Sequence, residues 1–262
     1  MNPSVLFVFI LSILLGVLRA ADLAFGTDAV TGLCVVGSVW WRYLALGIVV
    51  LAAVLVGRTQ PSHSEAVRSR RPLAGILAFV GAVCFLAAAG AQIALGAASG
   101  LGGFVRCILE CLCSAWLSTM GRCWLSPNEW KKPFGGLYLA VAGSLLFYWN
   151  VLLRFMENSS SWHRVAPTAM VWQLLAGLVF LSALARALYL PGTSDGRTLC
   201  AGALASFALC LCWEMPSVVQ MLAENGSAAL LTPELLFRLG LCCVGVLGGL
   251  CAVRCCRAGQ GA

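Results

Sequence analysis

The chain alternates long apolar runs with short clusters of polar residues. Eight of the runs have about the length that a helix needs to cross the hydrocarbon core of a bilayer, roughly 20 residues. They lie approximately at residues 3–20, 36–57, 72–96, 104–125, 134–154, 167–189, 198–220 and 233–254. The connections between them are too short to fold as separate soluble domains. The pattern predicts an all-α fold, a polytopic transmembrane helical bundle with eight spans.

Composition supports this interpretation and excludes other classes of protein. Hydrophobic residues make up 61% of the chain and charged residues 10%, whereas a soluble domain carries about 25% charged residues. A disordered chain would be polar and rich in charge. The net charge is +7, but Lys and Arg lie at the ends of apolar runs and form no basic stripe. We therefore expect the lipid bilayer as a partner and no nucleic acid.

The first apolar run has a second interpretation as a secretory signal peptide. Its apolar stretch, residues 5–18, precedes two small residues, Ala20 and Ala21. A signal peptide usually begins with a positively charged segment, and residues 1–4 contain neither Lys nor Arg. Leu18 is also a poor residue three positions before the cleavage point. We expect the run to be retained as a span; cleavage would leave seven.

The distribution of Lys and Arg predicts the orientation of the bundle. If the spans alternate from a cytoplasmic N-terminus, eleven of the seventeen basic residues lie on the cytoplasmic side and six on the outer side. Positively charged residues are enriched in cytoplasmic loops. We therefore expect both termini in the cytoplasm, with the plasma membrane or a bacterial inner membrane as the host membrane.

The two halves of the chain carry similar landmarks in the same order. The paired landmarks are Arg19–Asp22 with Arg154–Glu157, Trp41 with Trp172, Arg71 with Arg197, and Phe104–Arg106 with Leu236–Arg238. They are offset by 126 to 135 residues. These offsets predict a 4+4 parallel tandem repeat, with residues 1–130 and 131–262 as its two four-helix units. The alternative is that all membrane helices resemble one another in Leu, Ala, Gly and terminal Arg.

Charge inside a membrane span is costly and marks candidate functional sites, and four ionisable residues stand out in the predicted spans. Arg106 and Glu110 are four residues apart on the fourth span and can therefore pair. Glu214 lies in the seventh span and Arg238 in the eighth. In the predicted orientation all four lie in the outer third of the membrane. They form a candidate intramembrane polar cluster between the two halves.

Other polar residues have simpler interpretations. The two arginines of the cluster can reach the headgroups while the glutamates pair with them, which would make the cluster purely structural. Gln92 is expected to hydrogen-bond between helices. Asp22 and Asp28 are expected in a solvated loop with turn chemistry. Pro216 lacks a backbone N–H, so the seventh span should kink or end there.

No motif for catalysis, cofactor binding or metal binding is present. Most of the fourteen cysteines lie inside apolar runs, without CxxC or zinc-finger spacing. Their sulfur atoms would suit Cu(I), but no histidine lies in a span. Cys255 and Cys256, beside arginines, are alternative acylation sites. We expect no enzyme activity, no cofactor and no metal.

A third class, an intramembrane enzyme acting on lipid-linked substrates, is disfavoured because the sequence has no paired carboxylate, Ser/His or metal-ligand constellation. Two other functions remain open. The repeat and the buried charges favour a permease for a small solute or ion, with its site between the halves. The alternative is a non-transporting assembly or sensor component whose helices only pack. The positions of Glu110 and Glu214 distinguish the two: a shared wet cavity favours transport, and pairing of each with its nearest arginine favours the structural role.

Overall fold

A computed structural model describes residues 2–28, 32–59, 63–127, 132–156, 164–190, 192 and 195–258, with backbone alone at 227, 257 and 258. In this part of the chain eight helical spans are long and apolar enough to cross a membrane. Each coincides with one of the predicted runs, so the eight-span, all-α bundle is confirmed and the chain is a multi-pass membrane protein. The helices are α1 (Pro3–Ala21), α2 (Val39–Thr59), α3 (Pro72–Ala94), α4 (Gly100–Leu125), α5 (Gly136–Met156), α6 (Val165–Tyr189), α7 (Gly196–Ser206), α8 (Met215–Asn225) and α9 (Pro233–Ala258).

The seventh span consists of α7 and α8, joined by a π-helical segment, Phe207–Trp213. Asp195 caps the start of α7 by accepting hydrogen bonds from the Arg197 backbone N–H and the Thr198 hydroxyl, at 2.9 and 2.8 Å. The Thr198 hydroxyl lowers the pKa of Asp195 by stabilising its carboxylate. Pro216 lies in the first turn of α8. The span is irregular on the N-terminal side of Pro216, where proline cannot donate the hydrogen bond that would continue the preceding helix. A kink at Pro216 itself stays a prediction.

Two spans end differently from the prediction. α1 continues into a π-helical turn, Asp22–Gly26, and the seventh span continues beyond Pro216 to Asn225. Proline is tolerated in a first helical turn, where its missing N–H has no partner to lose. The apolar run alone therefore underestimated the length of both spans.

Large apolar side chains cover the outside of the bundle. Phe7, Ile10 and Val17 on α1 and Val83 on α3 are each at least half exposed in the isolated chain. A water-soluble protein rarely exposes such a continuous apolar surface. Hydrocarbon is the environment that suits this surface.

The connection between α2 and α3 lies across one end of the bundle. The Arg71 backbone N–H donates to the Trp124 carbonyl at 2.9 Å, and the Trp124 indole donates to the Val67 carbonyl at 3.0 Å. The Arg68 side chain donates to the Ala187 carbonyl, at 2.9 Å from Nε. These bonds join the connection to the C-terminal ends of α4 and α6. We call this the linker end; in the predicted orientation it is cytoplasmic.

The packing of the helices bears on the predicted repeat without establishing it. α3 packs chiefly on α4 and α9, whereas α7, its counterpart in the second unit, packs on α2, α6 and α9. The predicted unit boundary at residues 130 and 131 and the landmark Glu157 lie outside the described residues. The 4+4 repeat and the division into residues 1–130 and 131–262 therefore stay predictions.

Candidate functional site: a buried charge network

Glu110 on α4 is fully buried and is held by two neighbouring side chains. Arg106, one turn earlier, donates from Nε at 3.0 Å. Gln92 near the end of α3 donates from Nε2 to both carboxylate oxygens, at 2.9 and 3.0 Å. The Cys107 thiol donates to the Gln92 carbonyl oxygen at 3.4 Å, which fixes the orientation of the amide. Gln92 is thus the interhelical hydrogen-bond partner that the sequence predicts.

Glu214 is held in a similar way at the junction of α7 and α8. It is 2% exposed and accepts hydrogen bonds from Arg238 Nη1 at 2.5 Å and from Gln173 Nε2 at 2.6 Å. Gln173 Nε2 also donates to the Leu209 carbonyl at 3.2 Å, inside the π-helical segment. Both glutamates therefore point into the bundle, and each has one arginine and one glutamine as donors.

Glu234, in the first turn of α9, joins the two pairs. Its carboxylate lies 3.0 Å from Arg238 Nε, 3.6 Å from Arg154 Nη2 and 4.0 Å from Arg106 Nη2. The four residues of the predicted cluster therefore lie in one set of contacts, with Glu234 between Arg106 and Arg238. We call this set the network; it comprises Gln92, Arg106, Glu110, Arg154, Gln173, Glu214, Glu234 and Arg238.

A further buried ion pair contradicts the expectation that Asp22 is a solvated loop residue. Asp22 is 6% exposed, and its carboxylate lies 2.9 Å from Arg19 Nη1. It also accepts hydrogen bonds from Arg42, from Nε at 2.8 Å and from Nη2. Arg42 is 2% exposed and also donates to the carbonyls of Gly26 and Val36. The π-helical turn that extends α1 places Asp22 against α2 and away from solvent.

The backbone of Asp28 is hydrogen-bonded to residues 32 and 33, and the predicted turn role of its side chain stays a prediction. Its backbone N–H donates to the Leu33 carbonyl at 3.0 Å, and its carbonyl accepts from the Gly32 N–H at 2.9 Å. Gly32 has a φ of +67°, a left-handed conformation that glycine adopts without strain. The two aspartates of this region therefore have different environments.

Arg19 brings the Asp22 ion pairs close to the network. Its guanidinium lies over the Trp213 ring at 4.8 Å from the ring centroid, and Trp213 immediately precedes Glu214 in the chain. Arg106 stacks in the same way on Phe237, also at 4.8 Å. Cation–π contacts of this kind stabilise a desolvated guanidinium by up to about 2 kcal/mol. Polar contacts thus extend across the end of the bundle opposite the linker.

Three network residues were not identified from the sequence. Arg154 and Glu234 stand at predicted span ends, where charge is ordinary, and Gln173 resembles any amide in a membrane helix. One signal was available, because Glu234 and Arg238 have the same four-residue spacing as Arg106 and Glu110. That spacing places both side chains on one face of the helix.

The arrangement suits structural stabilisation better than proton or ion transfer. A charge buried in hydrocarbon is costly unless it is paired and hydrogen-bonded, and here the carboxylates of Glu110, Glu214 and Glu234 all have arginine donors. Removing one partner of a buried pair destabilises a protein by about 3–5 kcal/mol, because the other charge is left uncompensated. The network therefore holds the helices that contribute to it in one relative position.

Two large grooves are formed by residues that the structure describes, and neither reaches the glutamates. One groove, of about 380 Å³, lies between α2, α6 and α7, and the other, of about 650 Å³, lies between α1 and the seventh span. Both are lined mainly by apolar side chains, and neither lining includes Glu110 or Glu214. A shared cavity between the glutamates does not appear among these grooves.

The cysteines lie mostly in the core of the bundle. Cys255 and Cys256 are 0% and 5% exposed, so the structure does not present them for acylation. The Cys256 and Cys200 sulfur atoms are 3.4 Å apart. Within the described ranges no group of three or more His, Cys, Asp and Glu side chains could hold a metal ion.

Comparison with known proteins adds no family to this description. No family model, no curated protein and no solved structure matches the chain.

Proposed function

We propose that the chain is a non-transporting multi-pass membrane component, which acts in assembly or sensing. In this proposal the network only holds the helices in one relative position. This reverses the slight preference of the sequence for a permease. The observation that carries the proposal is the state of the two buried glutamates. Glu110 and Glu214 are each engaged by their own arginine and glutamine, at 2.5 to 3.0 Å.

The energetic cost of releasing either carboxylate supports the same interpretation. A substrate or proton that used Glu214 would have to replace donors from Arg238 and Gln173 in a low-dielectric interior. Intramembrane acids of transporters usually face a water-filled cavity or the substrate path. The carboxylates here face protein donors, as expected of groups that hold helices together.

Flux measurements on proteoliposomes test the proposal. The purified protein is reconstituted in vesicles that contain the pH indicator pyranine, and a potassium gradient with valinomycin drives proton movement. Uptake of labelled amino acids and sugars is followed in parallel. We expect the wild type and Glu214→Gln to match protein-free vesicles in both assays. Proton or solute flux in the wild type above that of protein-free vesicles would contradict the proposal, and its loss in Glu214→Gln would assign the flux to that carboxylate.

The second candidate function is the permease, and one observation favours it. The network crosses the predicted boundary between the halves, because Arg106 belongs to residues 1–130 and Arg154, Glu234 and Arg238 belong to residues 131–262. Ion pairs between two moving units can close one side of a transport path. In that case, breaking the network would raise flux above the wild-type level. We therefore include Glu234→Gln in the same assay, and expect no flux from it.

A further inference from the structure

The groove between α2, α6 and α7 has an arginine at its mouth, at the linker end of the bundle. Arg58, in the last turn of α2, is part of the groove lining and is exposed. Thr198, in the first turn of α7, lines the same mouth. Every other lining residue is apolar. The groove is therefore apolar along its length and positively charged at one end.

Two further arginines continue the groove-lining faces of the other two helices. Arg186, in the last turn of α6, follows the lining residue Val179 by seven positions. Arg197, in the first turn of α7, precedes the lining residue Ala201 by four positions. Both spacings place the arginine on the same face of its helix as the lining residue. Each helix of the groove therefore contributes one exposed arginine at the linker end.

Close helix packing brings these arginines toward one another. A Cβ atom at Gly57 would lie 2.8 Å from the Ala201 Cβ, so α2 and α7 touch at this point. Gly57 precedes Arg58 directly, and Ala201 is about one turn from Arg197. Arg186 joins them because α6 ends where α7 begins. The mouth of the groove is thus surrounded by three guanidinium groups.

The three arginines differ from those of the network in lacking acid partners. Among the described residues, none of their side chains forms a hydrogen bond or a salt bridge. The nearby acid, Asp195, caps α7 by accepting hydrogen bonds from the Arg197 backbone N–H and the Thr198 hydroxyl, at 2.9 and 2.8 Å. Its charge offsets one of the three arginines, so the mouth keeps a net charge of +2. An anionic group is the ligand that complements this charge.

The length of the groove matches one leaflet of a bilayer. Along the seventh span its lining runs from Thr198 at the mouth to Leu209 at the deep end. At 1.5 Å per residue this stretch is about 16 Å long. Half of the hydrocarbon core of a bilayer is about 15 Å thick. An acyl chain whose headgroup lies at the mouth would therefore reach the middle of the membrane.

We propose that this groove binds an anionic phospholipid, with one acyl chain in the groove and the phosphate among Arg58, Arg186 and Arg197. Guanidinium groups form charge-assisted, often bidentate, hydrogen bonds with phosphate oxygens. Basic pockets between membrane helices on the cytoplasmic side bind anionic headgroups, and the linker end is cytoplasmic in the predicted orientation. The groove beside α1, in contrast, has no charged lining residue. The site lies at the opposite end from the network and does not rest on the proposed function.

Photo-crosslinking with lipid probes tests the proposal on the full chain. The protein is reconstituted in phosphatidylcholine vesicles with a trace of phosphatidylglycerol or phosphatidylcholine that carries the same diazirine on one acyl chain. Labelled peptides are identified by mass spectrometry. We expect the phosphatidylglycerol probe to label residues 172–179 and 201–209 at least about fivefold more strongly than the phosphatidylcholine probe. Equal labelling by the two probes would show unselective lipid contact and overturn the proposal.

Two matched charge substitutions test the role of the mouth. Arg58→Gln should lower the ratio of phosphatidylglycerol to phosphatidylcholine labelling about fivefold, since one basic residue near the surface contributes a factor of about that size. Arg122→Gln removes the same charge from an exposed position on α4, which does not line the groove, and should leave the ratio unchanged. Equal effects of the two substitutions would reveal only a general attraction by positive charge, against the proposed site.

A second matched pair, on α2, tests the position of the acyl chain. Val54→Trp places an indole inside the groove and should abolish the preferential labelling of residues 172–179. Leu55→Trp adds the same indole at the next position, which is 54% exposed and outside the groove lining, and should leave the labelling unchanged. Preferential labelling that survives Val54→Trp would overturn the proposal. Thermal unfolding of each variant, compared with the wild type, verifies that a loss of labelling does not come from a loss of fold.

Discussion

Buried arginines and acids at the end of the bundle opposite the linker are matched almost one to one. Asp22 pairs with Arg19 and Arg42, Glu110 with Arg106, and Glu214 with Arg238. Each pair is desolvated. Its contribution to the free energy of unfolding therefore depends more on whether every charge keeps a partner than on the strength of any one contact. Single substitutions in these pairs should therefore have large effects.

Replacing Arg238 by methionine should strongly destabilise the protein. Glu214 would remain buried with Gln173 as its remaining side-chain donor, and Glu234 would lose its closest cation. We expect the free energy of unfolding to fall by about 3–5 kcal/mol, measured by titration with SDS in mixed micelles. The control is Arg197→Met, because Arg197 is exposed at the start of α7.

Removing both charges of this pair distinguishes pairing from packing. The double variant Glu214→Leu with Arg238→Met keeps similar volume and leaves no unpaired carboxylate at position 214. It should recover most of the stability that Arg238→Met loses, since apolar replacements of buried ion pairs are often neutral. A double variant that is less stable than the single one would argue against this origin of the effect.

Sequence reasoning identified Arg106, Glu110, Glu214 and Arg238 because charge inside an apolar run is conspicuous. It misjudged Asp22, which stands where the apolar run ends and which becomes buried because α1 continues as a π-helical turn. It also overlooked Glu234 and Gln173. Their partners come from other helices, and the packing of helices against each other cannot be derived from spacing along one chain.

At the level of helices, glycines determine how closely the spans approach. A Cβ atom at Gly57 on α2 would lie 2.5 Å from the Ala201 backbone nitrogen and 2.8 Å from the Ala201 Cβ on α7. A Cβ atom at Gly16 on α1 would lie 2.6 Å from the Cys212 carbonyl oxygen. Small residues at contact points permit such close packing in membranes, where packing replaces the hydrophobic effect as the driving force.

Two glycines of α2 allow a matched comparison. Gly57→Ala should lower the free energy of unfolding by about 1–3 kcal/mol, because the added methyl group overlaps the Ala201 backbone. Gly47→Ala, on the same helix, meets no atom within 4 Å and should leave stability unchanged or raise it by up to about 1 kcal/mol. Equal effects of the two substitutions on SDS-induced unfolding would contradict the packing of α2 against α7.

The positions of the membrane spans along the chain were the most predictable feature of the structure. Apolar runs of membrane length located the eight spans that the described residues form. The π-helical segments were not predicted, because their hydrogen-bond register depends on contacts such as that of Gln173 with the Leu209 carbonyl. The lengths of α1 and of the seventh span depend on these segments.

For the molecule as a whole, the network joins parts of the chain that are distant in sequence. Arg106 on α4 and Arg154 on α5 meet Glu234 on α9. These half-buried contacts link helices of the two predicted units. The repeat itself and the cytoplasmic position of both termini remain predictions, since basic-residue counts and sequence offsets supply their only support.

The central claim is that one network joins the first four spans to the last four, and a double-mutant cycle between Arg106 and Arg238 tests it most directly. Both arginines contact Glu234, from α4 and α9 respectively. The unfolding free energies of Arg106→Met, Arg238→Met and the double variant are measured by the same SDS titration. We predict a coupling energy of about 0.5–3 kcal/mol. Effects that add to within about 0.3 kcal/mol would show two independent ion pairs and contradict the account.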